Sequence, residues 1–278
     1  MPYAAPRSLD EVVALLTKTQ GARVLAGGHT LLLEPSRSRL GDALLVDLRL
    51  VPNLAGVADA DGGLRIGAMT TLSDITADAR VRTSYGVLAE VAERTGDVQA
   101  QNRATLGGNL ASTDPDNEFP AIAVLLAASI DIVGKKTRTV HPDDFFSGKS
   151  VLGSGEIITA INLPARLPRT GIAYVAHRNP ATRAPICGVG VGLALGQDGR
   201  VTSTRVVLVG ATDRPTRLSN VEKQLTKARA ADLRQAAAGA GDGATMRTDL
   251  FASAEYRKHL TGVLAGRALN QALARAGG

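Results

Sequence analysis

Tryptophan is absent from the 278 residues, and four Phe and four Tyr are the only other large rings. So few aromatics leave little for a base-stacking nucleic-acid binder to use. The core must instead come from Ala, Val, Leu and Ile. The single cysteine, Cys187, rules out an internal disulfide framework and any cysteine-ligated iron–sulfur cluster built by this chain alone. Its setting in "PICGVGVGLAL" reads as a small buried apolar side chain. No apolar run approaches the roughly 20 residues of a membrane span, and Met1-Pro2-Tyr3 does not open a signal peptide, so the expected location is the cytoplasm. The net charge of +6 is spread along the chain, which reads as solvated surface.

Several familiar chemistries are also missing. "FFSGKS" (145–150) ends like a P-loop, but Asp143 stands where that motif needs its first glycine. Gly188, Gly190 and Gly192 alternate with Val on one strand face, which points to close packing. His29, His141, His177 and His259 lack metal-ligand spacing, and no GxSxG elbow occurs. Nothing resembles a hydrolase.

What is present is alternation of short strands and helices. "SLDEVVALLTK" (8–18) predicts a helix with a Ser8–Glu11 capping box. Strands follow at "ARVLAGG", "ALLVDL" (43–48) and "GGLRIGAM" (62–69). "TTLSDITADARV" and "YGVLAEVAERTG" read as two helices, and "DNEFPAIAVLLAAS" (116–129) as a third with acids in its first turn. "IDIVG", "RTV" and "EIITAINLP" read as strands to Pro164. Three strand-like runs then precede helices from Leu218 onward, with "AAAGAGDGA" (236–244) as a loop. The change of pattern near residue 170 marks a domain boundary, and strands followed by helices predict an α+β C-terminal domain.

Two loops carry the chemistry. "VLAGGHTLLL" (24–33) and "ATLGGNLASTDPD" (104–116) each place Gly-Gly after an apolar stretch, with small polar residues beyond. Without Cβ atoms, successive N–H groups can converge on phosphate oxygens, and two such nests suit a pyrophosphate. Taken alone, either pair reads more readily as an ordinary turn. Their joint occurrence favours a dinucleotide.

The second loop, within "QNRATLGGNLASTDPDNEFPA", resembles the run IRNxGTIGGNLAxxDPxxDxP of the FAD-binding medium subunits of molybdenum hydroxylases, the xanthine dehydrogenase and aerobic carbon monoxide dehydrogenase family. "RVLAGGHTLLL", "GEIITAINLP" and "YRKHLTGVLAGRAL" extend the resemblance nearly end to end. It implies an α+β chain: a vanillyl-alcohol-oxidase-type (PCMH) FAD-binding domain over 1–170, with two α/β subdomains of about 1–55 and 56–170. A smaller α+β domain over 171–278 follows, with a three-stranded antiparallel sheet and helices.

The resemblance also implies a set of cofactor-binding positions. Leu25, Ala26, Gly27, Gly28, His29, Thr30 and Leu31 would wrap the pyrophosphate and adenosine side. Thr105, Gly107, Gly108 and Asn109 would bind pyrophosphate and flavin-side oxygens, with Ser112 and Thr113 at ribityl positions. Asn102, Leu106 and Asp114 belong to the same set. Glu118 stands where relatives commonly have an Asp facing the cofactor, Ile157 near a residue packing on the flavin ring, and His177 where relatives often have Lys. Gln101 departs from the family's usual Arg.

The implied function is electron transfer through non-covalent FAD to an external acceptor. The implied partners are a small subunit with two [2Fe-2S] clusters and a large subunit with the molybdenum cofactor, in a heterotrimer or a dimer of heterotrimers. No metal ligand or catalytic side chain is assigned to this chain, and neither nucleic acid nor membrane is expected as a partner. Two rivals stay open: a self-contained flavin oxidoreductase of the same fold, and an assembly subunit that has lost FAD.

Overall fold

A computed structural model describes residues 2–32, 40–146, 152–226, 228 and 237–277. The tail of the first loop from Leu33, residues 147–150 of "FFSGKS" and part of the helical stretch after Leu218 lie outside the described residues. The chain divides into two compact units, Met1–Ser112 with Ala128–Pro164, and Thr113–Ala127 with Ala165–Gly278.

The first unit opens with β1 (Tyr3–Ala4), α1 (Leu9–Lys18), β2 (Arg23–Leu25) and β3 (Leu45–Asp47), the strands running parallel in the order β1-β3-β2. Ser8 Oγ accepts the Glu11 N–H at 3.2 Å, while the Glu11 carboxylate accepts the N–H of Arg7. The reciprocal bond thus closes one residue earlier than a strict capping box. Val12 and Leu16 of α1 bury against Val46, Leu48, Val51 and Leu54.

A second, antiparallel sheet has the order β4-β5-β8-β6-β7, from β4 (Val57–Ala60), β5 (Gly63–Gly67), β6 (Ser129–Val133), β7 (Thr137–Val140) and β8 (Ile157–Leu163). The β4–β5 turn uses positive φ at both Asp61 and Gly62, the twist a tight hairpin favours. The first of the two helices read from the sequence is in fact two, α2 (Leu72–Ala77) and α3 (Ala79–Ser84). Asp78 divides them: its carboxylate caps the N–H groups of Arg80 and Val81, so the chain restarts a helix there. Helices α4 (Gly86–Arg94), α5 (Val98–Gln101) and α6 (Leu106–Leu110) follow. The short α8 (Pro142–Phe145) lies between β7 and β8 in sequence.

In the second unit, helix α7 (Phe119–Leu125) has every residue buried, which requires apolar neighbours all round. It packs on the antiparallel sheet of β9 (Thr170–Arg178), β10 (Pro185–Leu195), β11 (Val201–Val209) and β12 (Thr216–Arg217), ordered β12-β11-β10-β9. The expected three-stranded sheet therefore has a fourth strand. β12 is two residues long and carries no periodicity to read. α9 (Ser219–Leu225) and α10 (Ala254–Gly277) complete the unit, and Gly239–Gly243 form turns.

Leu264, Ala265, Ala268, Leu269 and Ala272 of α10 join Val189, Val191 and Leu193 in one core. The alternate glycines of β10 face the other way. A Cβ at Gly188 would lie 2.0 Å from the Tyr174 hydroxyl, and one at Gly190 would lie 2.8 Å from Leu125 Cδ2. These glycines make room for large neighbours, as their alternation predicts. Cys187 is fully buried, its Sγ 3.5 Å from Thr261 Oγ1, and burial pushes its thiol up to about 11. It is an inert core residue.

Candidate cofactor site

The first glycine loop leaves the carboxyl end of β2, where open parallel sheets place their ligand crevices. Leu25 and Leu31 anchor its two ends in a small cluster with Leu40 and Leu45. Between them the two glycines have different tasks. A Cβ on Gly27 would lie 1.7 Å from the Arg103 carbonyl oxygen, so the second loop's backbone runs directly against the first. Gly28 has φ +75°, a conformation that L side chains rarely adopt, and its carbonyl accepts the Leu32 N–H at 3.1 Å. Among the described residues, the N–H groups of Gly27, Gly28, His29, Thr30 and Leu31 meet no protein acceptor. His29 and Thr30 are exposed. Among the described residues this anchored loop therefore carries five consecutive N–H groups without a protein acceptor, donors of the kind an anion could take up.

The second loop is built differently. Thr105 is buried and caps α6: its Oγ1 accepts the Gly108 N–H at 3.2 Å, and its carbonyl accepts both the N–H and the side-chain amide of Asn109. Gly107 donates to the Ala68 carbonyl at 2.8 Å and Leu106 to Thr70 at 3.0 Å. A Cβ at Gly107 would fall 2.5 Å from Ala68 Cβ. The sequence reading of two equivalent nests is therefore corrected. The second loop's amides are satisfied internally, and the loop serves as the seat for the first. Gly108 remains exposed, and a Cβ there would come within 3.6 Å of Ala26 Cβ, so α6 begins beside the first loop. Asn102 accepts from the Ser73 hydroxyl at 2.6 Å, which fixes the entry to the loop. Gln101 donates its side-chain amide to the carbonyls of Glu93 and Thr95 and so closes the end of α4.

Ile157 is 3% exposed and packs in the core beneath α1, so its side chain is not presented to a ligand.

Within the second unit, Thr113 and Asp114 are exposed, and Asp114 Oδ1 accepts the Asp116 N–H in a tight turn. Glu118 is only 4% exposed and meets Arg178 through two bonds of 2.6 and 2.7 Å. It is neither a free carboxylate nor a solvated helix-start acid. Arg178 also donates to the Arg183 carbonyl, which ties the turn after β9 to the start of α7. The Tyr174 hydroxyl, buried without a well-aligned partner, is pushed well above its ordinary range by burial and then by Glu118's charge.

Asp116 pairs with Arg247, and burial nonetheless raises its pKa against that cation. Two acids of "DPDNEFP", Asp116 and Glu118, precede the helix and bind arginines of the same unit. Their partners lie 60 and 131 residues away along the chain, so no local signal reveals them. His177 is exposed and meets Tyr256 edge-on, with ring centroids 6.2 Å apart.

No helix among the described residues is long and apolar enough to cross a membrane, and no group of three or more His, Cys, Asp or Glu residues among them could hold a metal ion.

Residues 1–166 match the family described as the FAD binding domain in molybdopterin dehydrogenase, and residues 172–272 match the carbon monoxide dehydrogenase flavoprotein C-terminal domain. The chain belongs to the FAD-binding medium subunits of the molybdenum hydroxylases. The carbon monoxide dehydrogenase medium chain of Hydrogenophaga pseudoflava is 32% identical over 279 residues, covering 98% of this chain and 97% of that one. The nicotine 6-hydroxylase medium subunit of Paenarthrobacter nicotinovorans is 28% identical over 278 residues, with 98% and 97% covered. The solved structure of carbon monoxide dehydrogenase from Hydrogenophaga pseudoflava, in a form lacking the Mo-pyranopterin moiety of its cofactor, superposes with a TM-score of 0.92 at 31% identity. It covers 99% of this chain and 98% of its counterpart. The medium subunit is thus part of an oxidoreductase complex, α+β in class, with a C-terminal domain after its flavin domain.

Proposed function

We propose that this medium subunit holds one FAD without a covalent link and passes electrons from the [2Fe-2S] clusters of a small partner subunit to an external acceptor. Substrate oxidation then belongs to a large molybdenum subunit. The observation that carries the reading is the row of unpaired amides from Gly27 to Leu31, seated on the second glycine loop. Bound there, FAD supplies the redox chemistry. The chain's own residues do the binding. The five amides fit a diphosphate, and the exposed Gly108 edge leaves room beside them. Asn109 and Ser112, both half-buried, offer polar groups suited to ribityl hydroxyls. Cys187 is shut in the core and cannot form a flavin thioether.

Relatives of similar identity are named for carbon monoxide and for nicotine, so the resemblance does not single out a substrate. The purified chain should be yellow, and acid precipitation should leave the colour in the supernatant. Alone and without oxygen, it should be bleached by dithionite but not by carbon monoxide, purines, aldehydes or N-heterocycles. Adding the iron–sulfur and molybdenum subunits should confer bleaching by one of those substrates. Bleaching by any of them with the chain alone would sink the electron-transfer reading and establish a self-contained oxidoreductase.

A further inference from the structure

A diphosphate carries full negative charge, whereas backbone amides answer it only with partial charges. Gln101 is neutral, and its amide is committed to the carbonyls of Glu93 and Thr95. Arg49, also near the carboxyl end of the parallel sheet, is held by Asp47 and the Tyr3 hydroxyl. Arg103 differs from both. Its backbone carbonyl presses on Gly27, and its Nε donates to the Gly27 carbonyl at 3.3 Å. The segment beneath it is fixed by Ala104 donating to Ala100 at 2.7 Å and by Leu72 donating to the Ala104 carbonyl. The side chain is exposed, and among the described residues its two terminal nitrogens meet no carboxylate or other acceptor. A cation is therefore held at the residue that opens the row of five free amides.

The geometry points to Arg103 as a cofactor-binding residue that neutralises a diphosphate oxygen of FAD, an inference that rests on the FAD reading above. The guanidinium is tethered by Nε and keeps two donors for the ligand, an arrangement suited to phosphate oxygens. Because the group faces water, its contribution is open to screening by salt.

The test is titration of the apoprotein with FAD, followed by flavin fluorescence over a range of NaCl concentrations, for wild type, Arg103→Gln and Arg103→Lys. Arg103→Gln should weaken FAD binding roughly tenfold at low salt and flatten its salt dependence, the scale of one charge-assisted contact. Arg103→Lys should recover most of the salt dependence, since it restores the charge. Melting temperatures should stay close to wild type, because Arg103 covers no core surface. Unchanged affinity in Arg103→Gln overturns the inference. So does a loss of affinity with an unaltered salt profile, which would mark Arg103 as a holder of the loop only. A wild-type chain that binds no FAD at any salt would overturn the FAD reading itself, and this inference with it.

Discussion

Gly27→Ala should lose flavin at least tenfold and lower the melting temperature by several degrees. One methyl group suffices because it would stand 1.7 Å from the Arg103 carbonyl oxygen, a backbone atom with no rotamer to escape into. Either the first loop lifts away from the second or the α5–α6 connection moves, and overpacking of this kind costs about 1–3 kcal/mol. For a unit of this size each kcal/mol corresponds to roughly 2–4 °C. Lifting the loop also disperses its five unpaired amides, so affinity falls with stability. A tenfold loss needs only about 1.4 kcal/mol of that disturbance. The control is Gly108→Ala. Its methyl would meet the Thr105 hydroxyl at 2.9 Å, and a hydroxyl can rotate aside. The cost is the cap bond to the residue 108 N–H, about 1 kcal/mol, and the flavin should stay. Absorbance ratios of the purified variants and their thermal melts decide the matter. Full occupancy and an unchanged melt in Gly27→Ala would mean that the two loops are not in contact.

The glycine pairs were legible in the sequence because glycine is chosen for backbone reasons, and doubling it after a strand is a local signal. The different task of each was not. Gly27 is required by a carbonyl 76 residues away, and Gly107 by Ala68, so neither reason lies in its own neighbourhood. The same limit explains the acids of "DPDNEFP". Asp116 reads naturally as a first-turn acid and Glu118 as a group facing a ligand or water, until Arg247 and Arg178 are brought to them by the fold. The split at Asp78 was present in the sequence: an Asp before a new turn is an N-cap signal, outweighed in the reading by continuous apolar spacing. Apolar periodicity marked most strands and the longer helices, but it missed β1, β4, β12, α5, α6 and α8, which are two to five residues long.

Arg257→Met should destabilise the second unit by roughly 3 kcal/mol, a larger loss than any exposed arginine of this chain would give. Arg257 lies on α10 and is 1% exposed, yet it is charged. It donates to the carbonyls of Ile186 and Arg247 and, at 2.7 Å, to the Asp249 carboxylate. Methionine fills most of the space but offers no donor, so two carbonyls and a partly buried carboxylate lose their partner together. Arg247 stands 3.5 Å from the same carboxylate and softens the loss.

The acid side of the stability curve separates the charge from the packing. Burial alone would raise the pKa of Asp249. The bonds from Arg257 and from the Phe251 and Ala252 amides outweigh that and hold it below the usual carboxylate range. A lowered folded-state pKa adds stability that is fully present above the unfolded value of about 4 and is lost as pH falls through the folded one. The gap between wild type and Arg257→Met should therefore be widest near neutral pH and narrow below about pH 4, as protonation removes the carboxylate charge in both proteins. Denaturant melts at pH 7 and pH 3.5 would measure it. A gap that keeps its full size at low pH would assign Arg257 to packing and carbonyl bonding alone, and no gap at pH 7 would show that the Arg257–Asp249 pair contributes nothing to holding α10 against the sheet.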